Sequence, residues 1–232
     1  MPTPRVAALF VFAAVMCGSP PRAGFEVQWA SELRLARPSQ AMQRLREPFD
    51  SPLPFKNGGQ SLAAGNCIDL LGYRGSGFTP ISERDTATAQ SLAVDCLAVR
   101  ALSTATAPRE SFLRSFRLDP QALGLLPPNL APIISDEDRQ TVQNASAKGM
   151  SWKQFDPSAI ASGQGDSFAV LSEDIRTSVR IYGRGDFNAD GIDDLLLRVD
   201  AAALHGTYRT SRLLLLTRTR RDGVLRMVRE FT

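Results

Sequence analysis

One histidine, His205, is all the chain offers as an imidazole base. A Ser-His-Asp hydrolytic site would have to use it, with Ser211 and nearby aspartates as partners. The G-x-S-x-G elbow is missing, and "HGTYRTSR" has the composition of an exposed loop. No pair of carboxylates stands in a recognisable acid–base setting. "GYRGSGF" is rich in glycine but lacks a preceding strand and the G-x-G-x-x-G spacing, so it is no phosphate cradle. No internal window reaches the roughly 18 apolar residues of a membrane-spanning helix. No segment repeats. A strong charge of one sign is also missing: the formal net charge is +3 over 232 residues.

The N-terminus departs from the globular pattern. Arg5 precedes the apolar run "VAALFVFAAVMCG", and "SPPRAG" then breaks it with small residues. This is the layout of a secretory signal peptide, residues 1–23, with cleavage near Ala23 or Gly24. The expected location is the periplasm or the exterior. The alternative is a lipoprotein anchored at Cys17, although Met16 stands where a small residue is usual. Arg5 and Arg22 leave with the signal, so the formal charge of +3 falls to +1. Near-neutrality argues against a nucleic-acid partner. Cys17 leaves too, and an exported chain with the two cysteines Cys67 and Cys96 is expected to bridge them. The closed loop would be worth roughly 3.5 kcal/mol in the chain-entropy account.

The expected fold class is α+β, with an N-terminal helical half packed on a C-terminal antiparallel meander of about five strands. Residues 24–59 form a poorly defined segment, weakly docked, with Leu33, Met42 and Leu45 as apolar contacts and "DSPLPFKNGG" as a linker. Residues 60–150 form the helical region. Ser82 caps its clearest helix, whose apolar face is Ala89, Leu92, Ala93, Cys96 and Val99. Ser135 caps another, with Asp136, Glu137 and Asp138 in the first turn. Residues 151–232 change period. "SFAVLSE", "SVRIYGR", "DLLLRVD", "RLLLLTR" and "VLRMVREF" are strand-length runs, and Asp222-Gly223 signals a tight hairpin. Residues 60–232 can form one domain.

"GDFNADGIDDLLLRV", residues 185–199, carries the clearest chemistry. Oxygen side chains recur at Asp186, Asn188, Asp190 and Asp194. Gly191 stands where a sharp bend requires positive φ, and Ile192 can offer its carbonyl. A loop curling around a point turns every second residue inward, and hard oxygen donors suit Ca2+. The set holds no Cys or His, which argues against zinc. An EF-hand is excluded because its twelfth position here is Leu197, not Glu, and a strand follows. The stretch resembles the calcium loop of FG-GAP repeats, the blades of the integrin α-subunit propeller. The pattern D-x-[DN]-x-D-G-x-x-D is met at every position over residues 186–194. The resemblance covers about a dozen residues. It implies one calcium site between two strands; it implies neither a propeller, for which the chain is too short, nor adhesion. Asp193 lies outside the alternating set and is expected to face solvent or support the ligands. Arg184-Gly185-Asp186 spells an integrin-recognition tripeptide, but Asp186 is already assigned to the ion.

Residues 198–232 hold eight arginines against three acidic residues. Alternation would put them on the solvent face of the sheet. That face, represented by Arg218, Arg220 and Arg226, is either merely solvated or a docking surface for an anionic protein, polysaccharide or lipid. The expected function is an exported non-catalytic binding or structural module with one Ca2+ site stiffening a sheet. The alternatives are a secreted or periplasmic hydrolase with unidentified catalytic residues, and a periplasmic inhibitor or immunity-type protein.

Overall fold

The computed structural model describes residues 25–231. The expected signal segment and Cys17 lie outside them. The fold class is α+β. In chain order the elements are β1 (Gln28–Trp29), α1 (Ala41–Arg46), β2 (Leu53–Asn57), β3 (Gln60–Ala64), α2 (Cys67–Arg74), β4 (Thr79–Pro80), α3 (Glu83–Leu102), α4 (Asp136–Ala147) and α5 (Trp152–Phe155), followed by β5 (Ile160–Gln164), β6 (Ser167–Ser172), β7 (Ile175–Gly185), β8 (Asp194–Ala203), β9 (Arg209–Thr217) and β10 (Arg226–Phe231). Six of the strands form an antiparallel meander in the order β10-β9-β8-β7-β6-β5, and β1 adds to β7 as the seventh strand. The five expected strands are β6 to β10; β5 is an additional one.

The N-terminal part is less helical than expected. The stretch read as a linker is the hairpin β2–β3, which β4 extends to a three-stranded sheet. Between α3 and α4 the backbone is irregular, broken only by short 3-10 turns. Nor is the first segment loosely attached. β1 pairs with β7, Trp29 donates from Nε1 to the Leu35 carbonyl (2.8 Å), and Leu33 and Leu45 are buried. Met42 is about half exposed instead of joining them.

Helix starts follow their caps. Ser82 accepts from the Asp85 amide (3.1 Å) at the start of α3. Ser135 and Asp138 form a capping box at the start of α4, and the Ile134 and Ser135 amides hold the Asp138 carboxyl below its usual range. Ala89, Ala93, Cys96 and Val99 are buried as the helical period requires. Cys96 is bonded to Cys67, with Cα atoms 5.4 Å apart, so α3 is tied covalently to the start of α2.

The sheet is covered on both faces. Leu196, Leu213 and Leu215 pack under α3, while Leu195, Leu197, Leu214 and Leu216 pack against Leu113, Leu126, Leu130 and Trp152. Each fully buried leucine contributes about 2 kcal/mol of gross burial free energy. Arginines from these strands therefore do not share one solvent face. Arg198 lies between α3 and the sheet, bonded to Asp95 (2.7 Å), Asp200 (2.7 Å), Ser91 (2.7 Å) and the Tyr182 hydroxyl (3.0 Å). A bulge in the β7–β8 pairing between Ile181 and Gly183 leaves Tyr182 out of the ladder and places it in this network. Burial, with Asp95 beside it, pushes the Tyr182 phenol up to about 12.

Candidate metal centre

Residues 186–193 connect β7 to β8 at one end of the sheet, with Gly185 paired to Asp194. Turning over this short span places Asp186 one residue beyond the Gly185–Asp194 pair, close enough for its charge to act on Asp194. Residues 106–110 lace the loop from outside. Thr106 and Asp186 exchange both backbone hydrogen bonds (2.9 and 2.9 Å), the Arg109 and Glu110 amides donate to the Gly191 carbonyl (2.8 and 3.0 Å), and the Asp193 amide donates to the Glu110 carbonyl (2.8 Å). The expected bend is where the motif puts it: Gly191 has φ +84°. A Cβ there would lie 2.6 Å from Arg109 Nε, but that exposed side chain can move, so it is the positive φ that restricts the position to glycine. Ala189 adopts φ +64° without that freedom.

The ligand candidates divide into two pairs. Asp186 (5% exposed) and Asp194 (0%) are buried. Asp186 accepts from the Gly191 amide through Oδ2 (2.8 Å), and Asp194 accepts from the Phe187 amide through Oδ2 (3.2 Å). The other oxygen of each, Oδ1, is buried and accepts no hydrogen bond of normal geometry from the described residues; the Thr217 hydroxyl, also buried without a partner, stands beside Asp194 and favours its charged form. Burial, then the neighbouring Asp190 and Asp186 charges, pushes the Asp194 carboxyl up to about 6. Asn188 and Asp190 satisfy one another and the backbone. Asn188 Nδ2 donates to Asp190 (2.9 Å), Asn188 Oδ1 accepts from the Asp190 amide (3.0 Å), and Asp190 accepts from the Ile192 amide (2.7 Å). Among the described residues no group of three or more His, Cys, Asp or Glu converges as a metal cage.

Two unpartnered carboxylate oxygens buried in one short loop are costly, because a buried polar atom without a partner retains its full desolvation penalty. The donor set is all oxygen and carries three carboxylates. That chemistry suits a hard divalent ion such as calcium, and Asp186 and Asp194 are the buried members of the set. Asn188, Asp190 and the Ile192 carbonyl belong to the same short loop.

Asp193 does not face solvent. It is buried, accepts from Ser111 Oγ (2.7 Å), and burial raises its carboxyl's pKa even beside Ser111 and Arg184. Arg184 spends its guanidinium on the Leu113 (3.1 Å) and Phe116 (3.0 Å) carbonyls, so neither charged end of the Arg-Gly-Asp tripeptide is presented to a partner. Ser211 donates to Asp200 (2.6 Å), and His205 is exposed in the turn before β9, so the nominal triad is bonded otherwise. Arg218 is a correction to the expected cationic face. It is buried, with Nε donating to the Gly223 carbonyl (3.0 Å) and a terminal nitrogen to the Arg221 carbonyl. Arg220 and Arg226 remain exposed.

The residues the sequence did not single out are Thr106, Arg109, Glu110 and Ser111. They reach the loop across roughly eighty residues of chain, as the 80-residue separation of Thr106 from Asp186 shows, and no local pattern marks them. No family model, curated protein or solved structure matches the chain. No helix among the described residues is long and apolar enough to cross a membrane.

Proposed function

We propose that residues 186–194 hold one calcium ion, and that the protein is an exported, non-catalytic binding or structural module whose sheet this ion stiffens. The ligands are Asp186, Asn188, Asp190, the Ile192 carbonyl and Asp194. The observation that carries the reading is the pair of buried, unpartnered oxygens, Asp186 Oδ1 and Asp194 Oδ1, at the end of β7 and the start of β8. A divalent ion gives both a partner and offsets their mutual repulsion. Asn188 and Asp190 exchange their bonds to each other for bonds to the ion, a side-chain rotation within the loop. The match to the FG-GAP calcium loop supports the same set.

Export is supported by the signal-like residues 1–23 and by the Cys67–Cys96 bridge, a bond favoured in oxidising compartments. Protein recovered from the periplasm or medium is expected to begin near Gly24 and to carry no free thiol, which intact mass before and after reduction measures. Two alkylatable thiols would overturn this part of the reading.

An ion that binds only the folded state stabilises it by about 2.7 kcal/mol at a hundredfold excess over Kd. Melting temperature is therefore expected to rise with calcium and return with EDTA. Magnesium does less, because it demands tighter octahedral geometry. Asp190→Ala is expected to abolish the rise. A rise that survives Asp190→Ala would contradict the ligand set.

A further inference from the structure

Four clefts among the described residues set arginines against carboxylates. A fifth, of about 500 Å³, does not. It lies between the end of α4 and the β9–β10 connection, residues 218–225. Its walls include Met150, Leu225 and Met227, its polar groups include Arg220, Arg226 and Asn129, and no acidic residue lines it. The volume is in the range of small-molecule sites.

The two guanidinium groups are uncommitted. Both arginines are exposed, and neither forms an ion pair among the described residues. Asn129 accepts from Ser146 through Oδ1 (2.7 Å), so the polar function it has left for the cleft is a donor. The connection carrying Arg220 is held from beneath by Arg218, through the Gly223 and Arg221 carbonyls. Leu225, 1% exposed, pins its far end, with its amide donating to the Leu125 carbonyl (2.7 Å). The backbone that carries Arg220 is thus held in place, which lowers part of the ordering cost of binding. The C-terminal turn of α4 borders the cleft and brings the negative end of a helix dipole. Carbonyls of that turn are already taken by the Lys148, Gly149 and Met150 amides, and two full positive charges outweigh the residual half charge.

We propose that this cleft binds a small amphipathic anion: one carboxylate, sulfonate or phosphate group on an apolar body. The head sits between Arg220 and Arg226, and the body lies against the half-buried Met150 and Met227. The proposal gives the binding-module reading a ligand class and does not depend on the calcium ion.

Calorimetry with octanesulfonate, kept below its aggregation concentration and run in calcium and in EDTA, tests it. One site per chain is expected in both conditions. Arg220→Gln with Arg226→Gln is expected to weaken binding roughly tenfold or more, since both charge-assisted contacts are lost. Both residues are exposed, so an unchanged melting temperature shows that the variant is folded. Arg229→Gln is expected to have no effect, because Arg229 is stacked on Phe231 outside the cleft. Octyltrimethylammonium, equally apolar but cationic, is expected not to bind. The proposal is overturned if the native protein binds no octanesulfonate, if the double variant binds it equally well, or if the cation binds as tightly. Octanesulfonate binding without any calcium effect would remove the calcium reading and leave this one standing.

Discussion

Two connections turn at the same end of the sheet, and they solve the burial of charge in opposite ways. Residues 186–193 lead into β8 and residues 218–225 lead out of β9, where Thr217 pairs with both Asp194 and Arg226. The second connection satisfies its buried charge with backbone carbonyls. Arg218 is buried, but its donors all end on carbonyls, Gly223 and Arg221 of its own turn and Phe112 of the segment between α3 and α4. The first connection is incomplete. Asp186 and Asp194 are buried to the same degree or more, and each keeps one oxygen without a donor. A guanidinium has five donors and finds acceptors in any loop, which is rich in free carbonyls. A carboxylate needs donors, and a tight loop has few to spare. The acidic connection therefore keeps buried oxygens unpaired, while the basic one pairs its charge and borders a cleft.

That contrast is sharpest under substitution. Arg218→Met removes a buried side chain's bonds to the Gly223, Arg221 and Phe112 carbonyls. It is expected to cost about 3 kcal/mol, equally in calcium and in EDTA, in chemical denaturation. A cost that depends on calcium would merge the two connections into one unit. Asp194→Asn is expected to act in the opposite sense. Without calcium the neutral side chain avoids the burial that pushes Asp194 up to about 6, and the protein gains about 2 kcal/mol. With calcium the gain disappears, because the native protein then binds the ion and the variant does not. An Asp194→Asn variant that is less stable than the native protein in EDTA would mean that the bare oxygen carries no penalty.

Smaller effects separate ligands from scaffold. Asp193→Ala loses the bond from Ser111 and is expected to cost about 1.5 kcal/mol, with the calcium increment in melting temperature retained. Loss of that increment would make Asp193 a ligand. Gly191→Ala is expected to cost about 1 kcal/mol from the positive φ alone, since the exposed Arg109 can swing away from the new Cβ. A neutral outcome would mean that the loop relaxes freely and is not held for an ion.

The legible parts of the molecule are those in which cause and effect are close in the chain. The caps at Ser82 and Ser135 mark α3 and α4 because capping is settled within three residues. The leucine runs of β8 and β9 read as strands, but they are continuous rather than alternating, the mark of burial on two faces. Expecting one covered face placed all the arginines on one solvent side, whereas Arg198, Arg212 and Arg218 are taken up by the layers that cover the sheet. β1, two residues long, has no period to read. The β2–β3 hairpin hides behind Pro52, Pro54 and the Gly58-Gly59 turn, which look like a linker. Asp222-Gly223 suggested a tight hairpin, whereas β9 ends at Thr217 and β10 begins at Arg226, because the intervening turn folds over buried Arg218. In the acidic loop the alternation of oxygens and the bend at Gly191 were local, and so readable. The lacing by residues 106–110 is a property of the tertiary fold alone.

The most direct measurement is calorimetric titration of calcium into the native protein and into Asp186→Asn and Asp194→Asn variants. If the two bare oxygens are half of a calcium site, the native protein takes up one ion per chain and neither variant takes up any. No uptake by the native protein, or equal uptake by the native protein and both variants, contradicts the account and leaves residues 186–194 an acidic turn.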